Sequence, residues 1–161
     1  MTKNGRHWVV DISIALAIFV ADRVVKYAAL WWLLPGVSLQ VGSFLGIDLL
    51  WTLTYNQGAA WGLCGGTPMA LLIFRLFFVA SLIVIYLKAQ MAPLVRTALA
   101  VILAGACGNI FDTFIWGHVV DMIHFQFWGW NYPVFNVADI AICLGSGAIF
   151  FLTFFSKREQ S

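Results

Sequence analysis

The sequence is poor in charged residues and contains a single glutamate. Only 10% of its 161 residues are Asp, Glu, Lys or Arg, whereas 62% are hydrophobic. Soluble domains average about 25% charged residues, so a soluble domain of this length could not bury its apolar surface. The composition also excludes a disordered chain, a collagen, a coiled coil and a disulfide-rich secreted module. Six of the seven acidic residues are aspartates, and most lie beside or within apolar segments.

Histidine and cysteine are scarce as well, with three residues of each type. A metal centre usually needs a cluster of such residues, and here they are scattered, so we expect no metal site. The chain has no glycine-rich phosphate loop. Its net charge of +2 is too small and too dispersed to indicate nucleic-acid binding.

Four apolar stretches are long enough to cross a bilayer, which takes about 20 residues for each helix. They cover residues 8–30, 69–87, 97–116 and 135–155. We therefore predict an all-α polytopic membrane protein with four transmembrane helices, in a single domain over residues 1–161. The first stretch has a basic start like a signal peptide, but it contains Asp11 and stays apolar to Leu30, so we interpret it as a retained span.

The distribution of basic residues predicts the orientation. The long loops 31–68 and 117–134 contain no Lys or Arg, whereas basic residues flank the opposite helix ends. By the positive-inside rule, both termini and the 88–96 loop are cytoplasmic and the two long loops face outside.

The first outer loop has a strand-like segment. Large side chains alternate with threonines over residues 51–55, and residues 41–50 could supply a partner strand. We expect a small extracytoplasmic β-sheet lying on the outer leaflet.

Polar residues from all four predicted helices converge on the outer third of the bilayer. Each charge inside a span costs about 2.5–3.5 kcal/mol or more, so several at one depth indicate a shared polar site. The converging residues are Asp22, Arg75, Asn109, Asp112, Thr113, Asn136 and Asp139, with Asp121 just before that level in the second outer loop.

Most of these residues can also have a structural role. Asp22 and Lys26 are spaced i,i+4 and can form an ion pair on one helix face. Arg23 and Arg75 can extend along their helices to the membrane interface. The small residues of 104–108 suit close helix packing.

Near the start of the fourth helix, Asn136 can cap the helix and Asp139 is favoured by its positive end. Asp121 has no partner close in sequence.

Asp121 and Asp139 lie on either side of the 124–134 loop, which could bring them together. Two carboxylates in a low-dielectric site hold one proton between them, so one can act as a base on water while the other donates a proton. This chemistry predicts a hydrolase of the aspartic-protease type. A proton- or ion-coupled transporter could use the same residues as a relay, and a non-catalytic assembly protein with structural aspartates is a third possibility.

Five short motifs carry a resemblance that covers nearly the whole chain. They are, in order, Asp22…Lys26, Asn56-x-Gly58-Ala59-Ala60, Gly105-x-x-Gly108-Asn109-x-x-Asp112, Val119-Val120-Asp121-x-Ile123 and Phe135-Asn136-x-Ala138-Asp139. Together they resemble the bacterial lipoprotein signal peptidase family, signal peptidase II.

The resemblance implies a multi-pass aspartyl endopeptidase of the bacterial inner membrane with its site near the outer leaflet. Such an enzyme cuts the signal peptide from prolipoproteins just before a cysteine that carries a diacylglyceryl lipid. The implied catalytic dyad is Asp121 and Asp139. The implied supporting and substrate-binding residues are Asp22, Lys26, Asn56, Gly58, Ala59, Asn109, Asp112, Thr113 and Asn136. No cofactor is implied, the expected partners are lipidated prolipoproteins and membrane lipids, and we expect a monomer.

The resemblance is incomplete at Thr113, where the family usually has arginine. The change removes a charge expected to steady the site, and Arg75 or Lys26 could replace it. We expect the substitution Thr113→Arg to be tolerated.

Overall fold

A computed structural model of the chain describes residues 3–58 and 68–158. That part contains four α-helices and four β-strands. The helices are α1 (Lys3–Trp32), α2 (Pro68–Lys88), α3 (Pro93–Trp116) and α4 (Val137–Arg158). The strands are β1 (Ser38–Phe44), β2 (Ile47–Asn56), β3 (Val119–Phe127) and β4 (Trp130–Asn131).

Three of the described helices can cross a membrane by length and composition. The segments are Met69–Lys88, Pro93–Trp116 and Val137–Phe155, and their apolar content agrees with the prediction for α2, α3 and α4. Helix α1 is 30 residues long but carries four charged residues between Asp11 and Lys26. Length and composition therefore do not identify it as the fourth predicted span.

The strands form one antiparallel sheet in the order β1-β2-β3-β4. The predicted strand 51–55 lies within β2. The predicted partner 41–50 is wrong as a single strand, because it crosses the turn between β1 and β2. Leu45 and Gly46 occupy that turn with φ of 51° and 82°, the left-handed backbone that two-residue hairpin turns need. Strand β3, in the second outer loop, is not among the predicted elements.

Small residues bring the helices close together. A Cβ atom on Gly105 of α3 would overlap the carbonyl oxygen of Ala138 in α4, and one on Gly145 of α4 would lie 2.7 Å from the carbonyl oxygen of Ala98. A Cβ atom on Gly108 would lie 2.9 Å from Oδ2 of Asp22 in α1. These approaches confirm the close packing expected for residues 104–108.

A buried apolar cluster joins the end of α1 to the sheet. Its members are Ala29, Leu33, Leu53, Val120 and Met122. Because Val120 and Met122 flank Asp121 in β3, this cluster fixes the backbone on both sides of that carboxylate.

Candidate active site

Asp121 enters the site directly after α3 ends. Gly117 has φ of 74°, and its N–H donates to the carbonyl oxygen of Thr113 at 3.0 Å, which terminates α3. Strand β3 then runs antiparallel to β2, and Asp121 pairs with Thr54. Asp121 is only 2% exposed, so the strand carries its carboxylate into the interior.

Asp139 is positioned by the cap of α4. Ile123 and Phe135 exchange backbone hydrogen bonds of 2.8 and 2.9 Å, which hold the chain against β3 just before α4 begins. Asn136 Oδ1 accepts the N–H of Asp139 at 2.9 Å, and Asp139 Oδ2 accepts the N–H of Asn136 at 3.2 Å. This reciprocal capping box confirms the predicted cap and points the Asp139 carboxylate back toward β3.

Three asparagines connect the two carboxylates. Asn136 Nδ2 donates to Asp121 Oδ1 at 2.6 Å and to Asn109 Oδ1 at 3.1 Å. Asn109 Nδ2 donates to Asp139 Oδ1 at 2.8 Å. Asn56 Nδ2 donates to Asp121 Oδ2 at 3.2 Å. Amide donors from β2, α3 and the start of α4 thus fix the orientation of both aspartates.

The surroundings of Asp121 favour its protonated form. Burial removes water from the carboxylate, the negative charge of Asp139 adds to the effect, and together they raise the pKa of Asp121 from 3.8 to about 7. The amide hydrogen bonds from Asn136 and Asn56 act in the opposite direction. The carboxyl can therefore exchange its proton near neutral pH.

Four charged residues form a buried layer behind the two aspartates. Lys26 Nζ lies 2.9 Å from Asp22 Oδ2 and 2.6 Å from Asp112 Oδ2, which confirms the predicted i,i+4 pair and extends it to α3. Arg23 Nη2 lies 2.6 Å from Asp22, and Nη1 lies 2.5 Å from Asp112. The expectation that Arg23 reaches the membrane interface is wrong, since the residue is 8% exposed and both carboxylates hold it inside.

The buried layer supports the backbone on either side of the site. Asp112 Oδ2 accepts the N–H of Val120 at 3.2 Å, one residue before Asp121. Asp22 Oδ1 accepts the N–H of Ala138 at 3.0 Å, one residue before Asp139.

The layer also contacts the asparagine network. Lys26 Nζ donates to Asn109 Oδ1 at 3.1 Å. The charged layer therefore touches the network that orients both carboxylates.

Arg75 of α2 lies beside Thr113, the position at which the family usually has arginine. Its Nη1 donates to Thr113 Oγ1 at 3.3 Å and its Nη2 donates to the carbonyl oxygen of Gly58 at 2.7 Å. The sequence alone left open whether Arg75 faces the interface or the site, and the structure places it beside Thr113. Ala59, predicted to bind substrate, lies outside the described residues.

A cavity of about 630 Å³ opens onto both aspartates. The polar side chains in its lining include Asn56, Arg75, Asn109, Asp121 and Asp139, and the other lining residues come from α2, Val119 of β3, the loop after β4 and α4. Within residues 3–58 and 68–158, no group of three or more His, Cys, Asp or Glu side chains is arranged to hold a metal ion.

A family model for signal peptidase II matches residues 14–155. The chain belongs to the signal peptidase II family. The match includes α2, α3, most of α1 and α4, and both aspartates that face the cavity, and signal peptidase II is a family of proteases.

Curated relatives and solved structures agree with this membership. A lipoprotein signal peptidase of Polynucleobacter necessarius is 34% identical over 142 residues, covering 86% of this chain and 85% of the relative. One from Staphylococcus aureus is 33% identical over 144 residues, covering 87% of this chain and 86% of the relative. A solved bacterial membrane enzyme superposes with a TM-score of 0.84 at 28% identity, covering 94% of this chain and 92% of its own. A second bacterial membrane enzyme superposes with a TM-score of 0.77 at 30% identity, covering 89% of this chain and 92% of its own. This signal peptidase II family member is thus a membrane-embedded protein.

Proposed function

We propose that the chain is an aspartyl endopeptidase that removes the signal peptide from diacylglyceryl-modified prolipoproteins, cutting before the lipidated cysteine. The observation that carries the proposal is the pair Asp121 and Asp139, which face one cavity and are joined by shared asparagines. The names of the curated relatives supply the substrate class. Their peptidase family does not support the alternative prediction of a transporter.

The two carboxyls act as a coupled acid and base with one proton between them. Asp139, ionised, removes a proton from a water molecule, and the water oxygen attacks the carbonyl carbon of the scissile peptide bond. Asp121, protonated, donates its proton to the carbonyl oxygen. When the resulting diol collapses, the C–N bond breaks, Asp139 returns its proton to the leaving nitrogen, and Asp121 regains a proton from the hydroxyl that becomes the new C=O.

The asparagines keep the two carboxyls in these roles. Asn136 contacts both, through its side chain on Asp121 and its backbone N–H on Asp139. Since the capping geometry exists before substrate arrives, the reacting groups need little reorganisation, which lowers the barrier.

The cavity suits a substrate that is itself held in the membrane. Leu71 and Phe74 line one side and Ile140 and Leu144 the other, so acyl chains can lie between α2 and α4 while the peptide meets the aspartates. The exposed faces of α2 carry large apolar residues such as Phe77, which is 72% exposed, as expected for contact with lipid.

Helix α1 is the fourth span in this proposal. Asp22, Lys26 and Arg23 are 1%, 0% and 8% exposed, and they pair with each other and with Asp112. Paired, buried charges avoid most of the cost of meeting lipid. The termini and the short α2–α3 connection then face the cytoplasm, and the sheet rests on the outer leaflet of the bacterial inner membrane with the aspartates beneath it.

The test is cleavage of a synthetic precursor by purified protein in detergent, with and without the diacylglyceryl group. We expect the wild-type protein to cut the lipidated precursor and leave the unlipidated one. Asp121→Asn and Asp139→Asn should each lose about 1,000-fold or more in rate, the scale of a lost acid–base group. Asp48→Asn is the matched control, because Asp48 lies on β2 and hydrogen-bonds to Gln40. Full activity in either dyad variant would contradict the mechanism.

A further inference from the structure

Arg75 is a charged residue in an otherwise apolar helix. The only other charge of α2 is Lys88 at its last position, and the neighbours Phe74 and Leu76 are 63% and 40% exposed. A guanidinium in a membrane-crossing helix is costly unless it is paired. Arg75 lines the cavity, whereas Phe77 of the same helix is 72% exposed, so the contacts of Arg75 in the cavity must offset that cost.

The contacts of Arg75 lead to Asp121 through one peptide group. Arg75 Nη2 donates to the carbonyl oxygen of Gly58 at 2.7 Å. The N–H of Gly58 donates to Asn56 Oδ1 at 2.9 Å. With its oxygen held there, the Asn56 amide can only turn its nitrogen to Asp121 Oδ2, at 3.2 Å. Arg75 thereby fixes the position of Gly58, and Gly58 fixes which end of the Asn56 amide faces the carboxylate.

A second contact anchors Arg75 to α3. Nη1 donates to Thr113 Oγ1 at 3.3 Å, and this hydroxyl donates to the carbonyl oxygen of Asn109 at 3.0 Å. The guanidinium therefore ties the end of β2 to the helix that carries Asn109, whose side chain holds Asp139. Each contact thus ends on a residue that hydrogen-bonds to a direct partner of the dyad.

The charge of Arg75 acts on the dyad as well. Arg75 lines the cavity together with both aspartates and is attracted to each of them. The other charged groups around the dyad are Lys26 and Asp22 from α1, and Asp112 and Arg23 behind them. Lys26 attracts both carboxyls from behind while it is paired with Asp22 and Asp112, and among the described residues Arg75 is the cation that lines the cavity itself.

We propose that Arg75 is a positioning residue of the dyad: it orients Asn56 toward Asp121 through the Gly58 peptide, and its charge favours the singly ionised form of the carboxyl pair. The proposal rests on the proposed peptidase function. It assigns to α2 a role in catalysis that the polar residues of α1, α3 and α4 do not fill.

Three variants separate the two parts of this role. Arg75→Gln removes both charge and two-point contact, and we expect kcat to fall about 10- to 100-fold with a smaller change in KM. The acidic limb of its pH–rate profile should move about one pH unit higher, because the dyad loses a nearby positive charge. Arg75→Lys keeps the charge but cannot reach Gly58 and Thr113 together, so kcat should fall while the acidic limb stays in place.

The third variant restores the positive charge from α3 instead of α2. In Arg75→Gln/Thr113→Arg the new guanidinium is attached at position 113, which Arg75 contacts in the wild type. We expect the acidic limb to return toward its wild-type position and kcat to recover in part. Lys88→Gln is the matched control, since it removes the other cation of α2 and should leave rate and profile unchanged. All are assayed with the lipidated precursor, with folding checked by thermal unfolding in detergent.

The outcomes distinguish this proposal from the proposed function. If the wild type and Lys88→Gln do not cleave the precursor, the peptidase assignment itself is wrong. If both cleave it and Arg75→Gln has wild-type kcat and an unmoved acidic limb, Arg75 has no positioning role. Should Arg75→Gln fail to fold, Arg75→Lys is the deciding variant. A wild-type kcat in Arg75→Lys would show that the contact to Gly58 does not position the dyad. An acidic limb that moves about one pH unit higher in Arg75→Lys would show that the charge of Arg75 does not set the ionisation of the dyad.

Discussion

At the scale of single residues, the aspartates of this chain differ by their partners. Asp11, Asp22 and Asp112 each lie beside a lysine or arginine that neutralises them. Asp121 and Asp139 instead accept their hydrogen bonds from amide groups. An amide orients a carboxylate without supplying a full charge, so these two carboxyls stay able to exchange a proton. This difference in partners agrees with the proposed catalytic role for the second group and the proposed supporting role for Asp22 and Asp112.

Asp121 makes stability depend on pH. Its pKa is raised from 3.8 to about 7 by burial and by Asp139, so the folded protein binds this proton more tightly than the unfolded chain. The stabilisation is complete below about pH 4 and is lost as pH rises through 7. At about 1.4 kcal/mol for each pH unit, it amounts to at most about 4 kcal/mol.

We therefore expect the melting temperature of the wild type in detergent to fall between pH 5 and pH 8. Asp121→Asn, which cannot ionise, should show a shallower slope over the same range, and Asp48→Asn should keep the wild-type slope. Identical slopes in all three proteins would mean that Asp121 does not bind its proton more tightly in the folded state.

The sequence suffices to predict the proposed dyad but not the partners of the arginines. Asp121 and Asp139 stand out because a carboxylate within or beside an apolar run is costly to bury. Arg23 could as well reach the interface, and only the fold shows that Asp112, far along the chain, lies 2.5 Å from its Nη1. Arg75 is a similar case, since its partners Gly58 and Thr113 carry no charge that would mark them in the sequence.

At the scale of elements, the helices are predictable and β3 is not. Long apolar runs mark α2, α3 and α4 with ends that differ from the predicted ones by a few residues. Strand β3 lacks the alternation that marks a strand with one exposed face, because its first four residues, Val119 to Met122, are all buried. Asp121 therefore lies in a strand that the sequence pattern does not mark.

The contact between α3 and α4 near the site depends on the missing side chain of Gly105. Gly105→Ala places a Cβ against the carbonyl oxygen of Ala138, so it must push α4 away and shift Asp139 with it. We expect a loss of about 1–3 kcal/mol in stability and a lower rate of cleavage. Gly147→Ala is the matched control, because a Cβ there meets nothing within 4 Å. A melting temperature for Gly105→Ala equal to that of Gly147→Ala would show that the helices are not held this closely.

At the scale of the whole molecule, α1 carries polar anchors at two levels about 16 Å apart along its axis. At one level Asp22 and Lys26 support the site. At the other, Asp11 accepts hydrogen bonds from Tyr86 of α2 at 2.8 Å and Thr97 of α3 at 2.7 Å, and Arg96 lies 3.4 Å away. A helix whose charges are satisfied by neighbours at both levels can lie among membrane-crossing helices along its whole length.

With α1 as the fourth span, the proposed orientation predicts which parts of the chain face each side of the membrane. In a variant with all three native cysteines replaced by serine, Asn131→Cys on β4 should react with an impermeant thiol reagent applied to spheroplasts. Gln90→Cys, equally exposed in the α2–α3 connection, should react only after lysis, and Thr2→Cys should behave like Gln90→Cys if α1 crosses the bilayer. Labelling of Thr2→Cys from outside, with Gln90→Cys protected, would make α1 a helix that does not span. Labelling of Gln90→Cys before lysis would reverse the orientation and put the dyad on the side where prolipoproteins do not emerge.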